Sequence, residues 1–156
     1  AGELHDQLMY TGADLLVKTV EAMVAGDYPL QDQVGLLAGR EPKHAPKIFK
    51  EDMKVDWTLG VDAIFNHIRG LSPFPTAWTE FRNKKNGEVV SLKIFETERI
   101  IKDHGKDVGL STDNKTYLDV LVEGGVIRIK ELQLSGKKRM KTEEFLRGFH
   151  IEDYSL

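Results

Sequence analysis

The sequence contains no cysteine and only five prolines among its 156 residues. Without cysteine there is no disulfide framework, no thiolate metal site and no thiol nucleophile, and such a composition is typical of a protein in a reducing compartment. No apolar run approaches the roughly 18 residues that a membrane helix needs, and the amino end lacks a basic segment followed by an apolar one. We therefore expect a soluble, cytoplasmic protein.

Recognisable catalytic motifs are also missing. There is no G-x-S-x-G elbow, no glycine-rich phosphate loop and no dinucleotide fingerprint, and the segment "EGG" at 123–125 is typical of a hairpin turn. The five histidines never lie three or four residues apart, as paired metal ligands on a helix would. We expect no catalytic, cofactor-binding or metal-binding residue in this chain.

Positive charge is concentrated near the carboxyl end. The whole chain has a net charge of −3 and a pI near 6.0, so any attraction to phosphate must be local. Residues 126–147 hold seven cationic side chains against three acidic ones, and four of the seven fall within five positions: Lys137, Lys138, Arg139 and Lys141. Four cations without an intervening carboxylate repel each other, and an anionic partner relieves that repulsion. This favours phosphate contact over a solvated charged loop.

A second group of lysines lies earlier in the chain, at Lys43, Lys47, Lys50 and Lys54. The surrounding segment, 27–57, contains Pro29, Gly35, Gly39, Pro42 and Pro46 and has no sustained periodicity, which indicates a connector. We expect these lysines to support phosphate binding, and a solvated linker is the alternative.

Periodicity predicts the elements on either side of the connector. Apolar residues at helical spacing predict a helix over 3–25 that Gly26 ends, and a second helix that Thr58 caps and that runs to about residue 71. Alternation then predicts strands at 77–81, 89–98, 116–122 and 126–134, with a short fifth at 107–112. Thr142 is expected to cap a final helix. Antiparallel strands so closely spaced, flanked by short helices, predict a mainly β fold: a small five-stranded barrel of the oligonucleotide-binding type.

Two aromatic residues follow the second helix, in the stretch "SPFPTAW". Phe74 lies between two prolines, which restrict the path of the turn, and Trp78 begins the first strand. We expect both rings to pack as a lid on the barrel, because enclosure buries most of their area, with base stacking as the alternative.

Four segments together resemble one family. The segments "KIFKEDMKVDW" (47–57), "IRGLSPFPTAWTEF" (68–81) and "ELQLSGKKRMKTEEFLRGF" (131–149) are similar, in order and spacing, to the carboxyl half of bacterial methionyl-tRNA formyltransferases. The segment "GELHDQLMYTGADLLVKTVEAM" (2–23) resembles the helix that closes the catalytic domain of that family.

The resemblance implies three regions in this chain. Residues 1–26 would be the closing helix of an absent Rossmann-like catalytic domain, residues 27–57 a linker, and residues 58–156 the carboxyl-terminal barrel domain. The family transfers a formyl group from 10-formyltetrahydrofolate to methionyl-initiator tRNA in translation initiation. Its catalytic residues and folate pocket would precede Ala1, so this portion alone is expected to be inactive.

The resemblance also implies partners. We expect initiator tRNA to bind at Lys137, Lys138, Arg139 and Lys141, with Lys47 and Lys50 in support, and we expect the missing catalytic domain to be a second partner. Without its original sheet, the helix at 3–25 would need cover for its apolar stripe, from the barrel or by self-association.

Two alternatives stay open at this point. One is a relative from the sugar-nucleotide formyltransferases or from 10-formyltetrahydrofolate dehydrogenase, in which the barrel serves a small substrate. The other is a general single-strand nucleic-acid-binding barrel.

Overall fold

The computed structural model describes all residues, 1–156, and divides them into two compact units. The smaller unit, Gly2–Ile48, contains helix α1 (Gly2–Ala25) and the short helix α2 (Gln33–Leu37). None of the residues of α1 is buried, so the predicted apolar stripe is solvent-exposed along the helix. No helix in the chain combines the length and apolar character that crossing a membrane requires.

The larger unit, Phe49–Leu156, contains one helix of three turns and a single antiparallel sheet. Its two short 3-10 turns are Glu51–Met53 and Ile151–Asp153. Its helices are α3 (Val61–Leu71) and α4 (Thr142–Leu146). Its strands are β1 (Ala77–Asn83), β2 (Val89–Ile101), β3 (Gly109–Thr112), β4 (Leu118–Val122), β5 (Gly125–Leu134), β6 (Met140–Lys141) and β7 (Tyr154–Ser155).

The sheet is barrel-like. Its strands lie in the order β3-β4-β5-β2-β1-β7, with β6 paired to β5, and every pairing between these strands is antiparallel. One edge strand, β3, contacts the 3-10 turn Ile151–Asp153, which leads directly into β7 at the other edge. The predicted mainly β fold is therefore confirmed, with its five predicted strands as β1 to β5. The two-residue strands β6 and β7 escaped prediction because they are too short to show alternation.

The core lies between the sheet and α3. Successive side chains of a strand point to opposite faces, so Leu92 and Ile94 of β2 are buried while Lys93 between them is exposed. One face of α3 covers the sheet with Ile64 and Ile68, which are almost fully buried. Burial of each such side chain contributes about 1.5–3 kcal/mol.

Two residues at the end of the predicted connector belong to this core. Val55 and Trp57 are both buried, and Trp57 Nε1 donates a hydrogen bond of 2.8 Å to Thr79 Oγ1. The indole ring is thus shielded from water while its N–H remains hydrogen-bonded. The compact unit that contains Val55 and Trp57 begins at Phe49.

Both predicted threonine caps are wrong. Gly60 occupies the N-cap position of α3, and Thr58 instead donates its hydroxyl and its backbone N–H to Asp56 Oδ1 in the preceding turn. Lys141 occupies the N-cap position of α4, and Thr142 Oγ1 donates to the Ile129 carbonyl of β5. In each case the hydroxyl that was expected to accept a hydrogen bond from the start of the helix instead donates one to another group.

The prediction that Phe74 packs as a lid is also wrong, because its ring is 85% exposed. The turn that carries it is closed by its own polar bonds: Thr76 Oγ1 donates to the Pro73 carbonyl at 2.6 Å, and Thr76 N to the Leu71 carbonyl at 2.9 Å. Ser72 Oγ anchors the turn to the Phe95 carbonyl of β2 at 2.7 Å. These bonds hold the turn in place while the ring stays outside.

Gly125 of β5 lies where β2 and α3 approach the strand closely. A Cβ at this position would overlap the Ile100 carbonyl oxygen of β2 and press on Val61 of α3. We expect Gly125→Ala to lower the free energy of unfolding by about 1–3 kcal/mol, as overpacking does. Gly70→Ala is the matched control, because nothing lies near its Cβ position in α3, and it should raise stability by up to about 1 kcal/mol. Equal urea midpoints for the two variants would contradict the close approach.

Candidate nucleic-acid interface

The outer face of β1, β2 and β5 presents a row of polar side chains. Trp78 of β1 lies opposite Lys93 of β2, and Lys93 lies opposite Gln133 of β5. Residues directly opposite each other on paired strands share a face, and neighbouring strands lie about 4.8 Å apart. The three side chains therefore form a line across the sheet, on the side away from buried Leu92 and Ile94.

The first end of this line carries two lysines. The segment before α3 runs beside β1, where Val55 N donates to the Trp78 carbonyl at 2.9 Å and Trp78 Nε1 donates to the Lys50 carbonyl at 2.9 Å. These bonds place the ammonium groups of Lys50 and Lys54 at 5.4 and 5.0 Å from the centroid of the indole ring. Cation–π attraction favours such positions.

The second end of the line reaches the basic loop. Gln133 Nε2 donates a hydrogen bond of 2.7 Å to the Lys137 carbonyl, and Lys137 N donates to the Leu134 carbonyl at 2.9 Å. The turn between them has Gly136 at a φ of +75°, a left-handed conformation that glycine adopts without strain. We call Lys50, Lys54, Trp78, Lys93, Gln133 and Lys137 together the cationic row.

The cationic row brings Lys50 and Lys54 onto the same face as Lys137, although these lysines are far apart in the sequence. Its only carboxylate neighbour on β1 is Glu80, which accepts a 2.6 Å ion pair from Lys54 Nζ. Lys93 and Lys137 make no ion pair within the protein. This face is therefore a local region of positive charge on a chain whose net charge is −3.

Part of the basic loop is paired with carboxylates from other elements. Arg139 Nε donates to Glu131 Oε2 of β5 at 2.8 Å, and the guanidinium lies 4.4 Å from the centroid of the Phe95 ring. Lys138 Nζ lies 3.2 Å from Glu144 Oε1 of α4. A charge count along the loop alone misses these partners, because neither carboxylate lies between the four cations in sequence.

Lys141 lies in a different environment. It is exposed on β6 and lines a surface cavity of about 260 Å³ whose lining also includes the carboxylates of Glu96, Glu131 and Glu143. This cavity has mixed charge, so its field toward an anion is weaker than that of the cationic row.

Arg128 is not available to an external anion through its best donors. Its Nε and Nη2 donate hydrogen bonds of 2.8 and 2.9 Å to Asp119, which is only 7% exposed. These hydrogen bonds raise the pKa of the Arg128 guanidinium above its ordinary value. The pair is a structural element between β4 and β5.

The structure thus brings together some of the residues predicted to bind phosphate. Lys50 and Lys137 lie at opposite ends of one row, with Lys138 and Arg139 next in the loop. Lys43 and Lys47 belong to the smaller unit, Gly2–Ile48. Lys93 was missed by the sequence analysis, because a single lysine in an alternating strand produces no cluster. Its outward position between Leu92 and Ile94 was the only signal.

Comparisons with known proteins agree with the resemblance found in the sequence. Residues 47–150 match the family described as "Formyl transferase, C-terminal domain". The methionyl-tRNA formyltransferase of Phocaeicola vulgatus is 45% identical over 152 residues, which is 96% of this chain and 47% of the relative. That of Bacteroides fragilis is 44% identical over 151 residues, or 96% and 46% of the two chains.

A further relative shows the same coverage. The methionyl-tRNA formyltransferase of Azobacteroides pseudotrichonymphae is 46% identical over 151 residues, which is 95% of this chain and 46% of the relative. The chain spans about half the length of the curated relatives it matches. Together with the match to a C-terminal domain, this coverage confirms the predicted correspondence to a carboxyl-terminal portion. On the match over residues 47–150, the chain belongs to the formyl transferase C-terminal domain family.

Proposed function

We propose that this chain is the tRNA-docking part of a methionyl-tRNA formyltransferase. The complete protein would transfer a formyl group from 10-formyltetrahydrofolate to the amino group of methionyl-initiator tRNA. Family membership and the names of the relatives support the reaction class. The observation that supports docking is the cationic row, in which Lys50 and Lys137 lie at opposite ends of one face although 87 positions separate them.

The cationic row suits a phosphate backbone physically. Its three strands span about 10 Å from Trp78 to Gln133, and the lysines extend the positive region beyond both ends. Cations spaced over such a length contact several phosphates of a nucleic acid, and they release the counterions that the phosphates had condensed. Contacts of this kind position a nucleic acid and do not read its bases, so recognition of the initiator tRNA falls to other parts of the protein.

The proposed contacts are Lys137, Lys138, Arg139, Lys141, Lys47 and Lys50, with Lys54 and Lys93 added from the geometry. Lys138 and Arg139 would exchange a carboxylate partner for a phosphate, and exposed ion pairs of about 0–1 kcal/mol do not prevent that exchange. Lys141 would contribute less, because its cavity is lined by three carboxylates as well as by cations.

The chemistry of formyl transfer would lie in the rest of the protein. Attack of an amine on a formyl carbon needs a general base and stabilisation of the oxyanion that develops. We assign neither role to this chain, and we assign no residue in it to the formyl donor. By itself the chain would bind tRNA without transferring the formyl group, in the cytoplasm where charged tRNA is used.

A competition experiment tests docking. We expect this chain to bind tRNA with an affinity that falls steeply with salt, and to prefer folded tRNA over a single-stranded oligonucleotide of equal length. The measurement is anisotropy of labelled tRNA, displaced by each competitor at about 50 and about 200 mM salt, over which six to ten phosphate contacts would lose about 10³–10⁵ in affinity.

Each alternative function has its own outcome in this competition. Equal displacement by both competitors would favour a general single-strand binder. No binding even in dilute buffer would favour a barrel that serves a small substrate, as in the sugar-nucleotide or folate-dehydrogenase relatives, and would contradict the proposal.

Glu80 is the carboxylate beside the cationic row, and removing its charge should strengthen tRNA binding. Glu80→Gln removes a negative charge next to the row and releases Lys54 from its ion pair. We expect the variant to bind tRNA several-fold more tightly and to elute from heparin at higher salt than the unmodified chain. Glu123→Gln is the control, since it makes the same change in net charge in the turn between β4 and β5, at the other end of β5 from Lys137. An identical shift in both variants would mean that net charge, and not the row, governs binding.

We also propose that the exposed apolar stripe of α1 is covered by a second copy of the chain. Leu4, Leu8, Leu15 and Val20 are each at least half exposed, and exposed apolar surface of this extent drives association. Sedimentation should show a concentration-dependent dimer, and Leu8→Glu together with Leu15→Glu should shift it to monomer. A monomer at all concentrations would contradict self-association and leave docking unaffected.

A further inference from the structure

A surface groove lies at the Lys137 end of the cationic row. Its volume is about 230 Å³, and it is lined by Ser91 and Lys93 of β2, Gln133 and Leu134 of β5, and Ser135 and Gly136 of the turn that follows. Ser135 N donates to the Ser91 carbonyl at 3.0 Å, which extends the β2–β5 pairing by one residue and brings the two serines side by side. The groove is therefore part of the sheet framework and is not a gap between loose segments.

The groove collects donors that have no partner inside the protein. The hydroxyls of Ser91 and Ser135 make no hydrogen bond, the Lys93 ammonium makes no ion pair, and the Gly136 N–H donates to no protein carbonyl. No protein atom lies within 4 Å of the position that a Cβ would take at Gly136, so the space beside this residue is open. Two hydroxyls, an ammonium and a backbone N–H together match the acceptor oxygens of a phosphate.

No carboxylate lines this groove, which distinguishes it from the cavity of about 260 Å³ next to Lys141. That cavity has three carboxylates in its lining together with Arg128, Lys130 and Lys141, so an anion there meets charges of both signs. Glu80 lies opposite Ser91 on β1, but Lys54 Nζ holds it at 2.6 Å. An anion in the groove therefore meets donors on the groove side and a neutralised carboxylate on the β1 side.

We infer that the groove formed by Ser91, Lys93, Ser135 and Gly136 is a seat for one phosphodiester group of the bound RNA. The inference rests on the proposed tRNA docking and names one point of that contact. A seat of neutral and charged donors differs from a diffuse positive surface, because it fixes the phosphate at one position and so sets the register of the RNA along the cationic row. Lys93 supplies the charge, and the serines and Gly136 supply directed hydrogen bonds.

The salt dependence of tRNA binding separates the contribution of the Lys93 charge from that of the neutral donors. Lys93→Ala removes a cation, so the slope of log K against log salt for tRNA binding should fall by roughly 1, and affinity in dilute buffer should fall several-fold. The double variant Ser91→Ala and Ser135→Ala removes neutral donors that release no counterion, so affinity should fall several-fold at an unchanged slope. Lys93→Arg should keep the slope of the unmodified chain.

The matched control is Lys102→Ala. Lys102 is an exposed lysine just past the end of β2, about 30 Å along the strand from Lys93, and it should change neither slope nor affinity. Circular dichroism of each variant checks that the sheet is intact. Unchanged slope and affinity in Lys93→Ala, while the unmodified chain binds tRNA, would overturn the seat and leave docking standing.

A second, independent experiment titrates the protein with inorganic phosphate in the absence of RNA. The amide resonance of Gly136 in ¹⁵N-labelled protein should shift on titration with phosphate, and Lys93→Ala should weaken that titration several-fold. A shift at Gly136 without any tRNA binding would support an anion seat while contradicting the proposed function. No shift with phosphate or with tRNA would overturn the seat itself.

Discussion

The antiparallel pairing of β2 with β1 and β5 is the constraint on which the rest of this molecule depends. The register that buries Leu92 and Ile94 also places Lys93 on the outer face, opposite Trp78 on one side and Gln133 on the other. A slip of one residue would move every side chain of β2 to the wrong face. The same hydrophobic burial that stabilises the core therefore assembles the cationic row, without any separate device to position it.

The attraction of this chain for an anion depends on where its charges lie, and not on its net charge. A net charge of −3 would repel a polyanion, and local pairing lowers the field further where Arg139 meets Glu131 and Lys138 meets Glu144. What remains available is the face between the ends of the cationic row, where Lys93 and Lys137 make no ion pair. Surface ion pairs are weak, so the proposed phosphate contacts of Lys138 and Arg139 would replace their carboxylate partners at little cost.

Much of the fold could be predicted from the sequence, whereas less of the candidate site could. Alternation in "VVSLKIFETE" predicted β2, and the change of period after Pro75 predicted an antiparallel barrel, because both patterns depend on neighbours in the chain. The prediction for Thr142 was wrong because its hydroxyl bonds a carbonyl of β5, and the prediction for Thr58 was wrong because the nearby Asp56 accepts its hydroxyl. The predicted burial of Phe74 was wrong because the turn leaves its ring in solvent. The cationic cluster at 137–141 was visible, but its carboxylate partners were not, since Glu131 and Glu144 reach it from β5 and α4.

By itself, the sequence determined the five longer strands, the main helices, the family resemblance and the presence of excess positive charge near the carboxyl end, since each of these is a property of residues close together in the chain. Only the tertiary structure decided that Lys50 and Lys137 share a face, that Lys93 joins them, and that Ser91 and Ser135 meet across a groove. Strand register brings these residues together, and register follows from packing of the whole sheet against α3, which no local stretch of residues encodes.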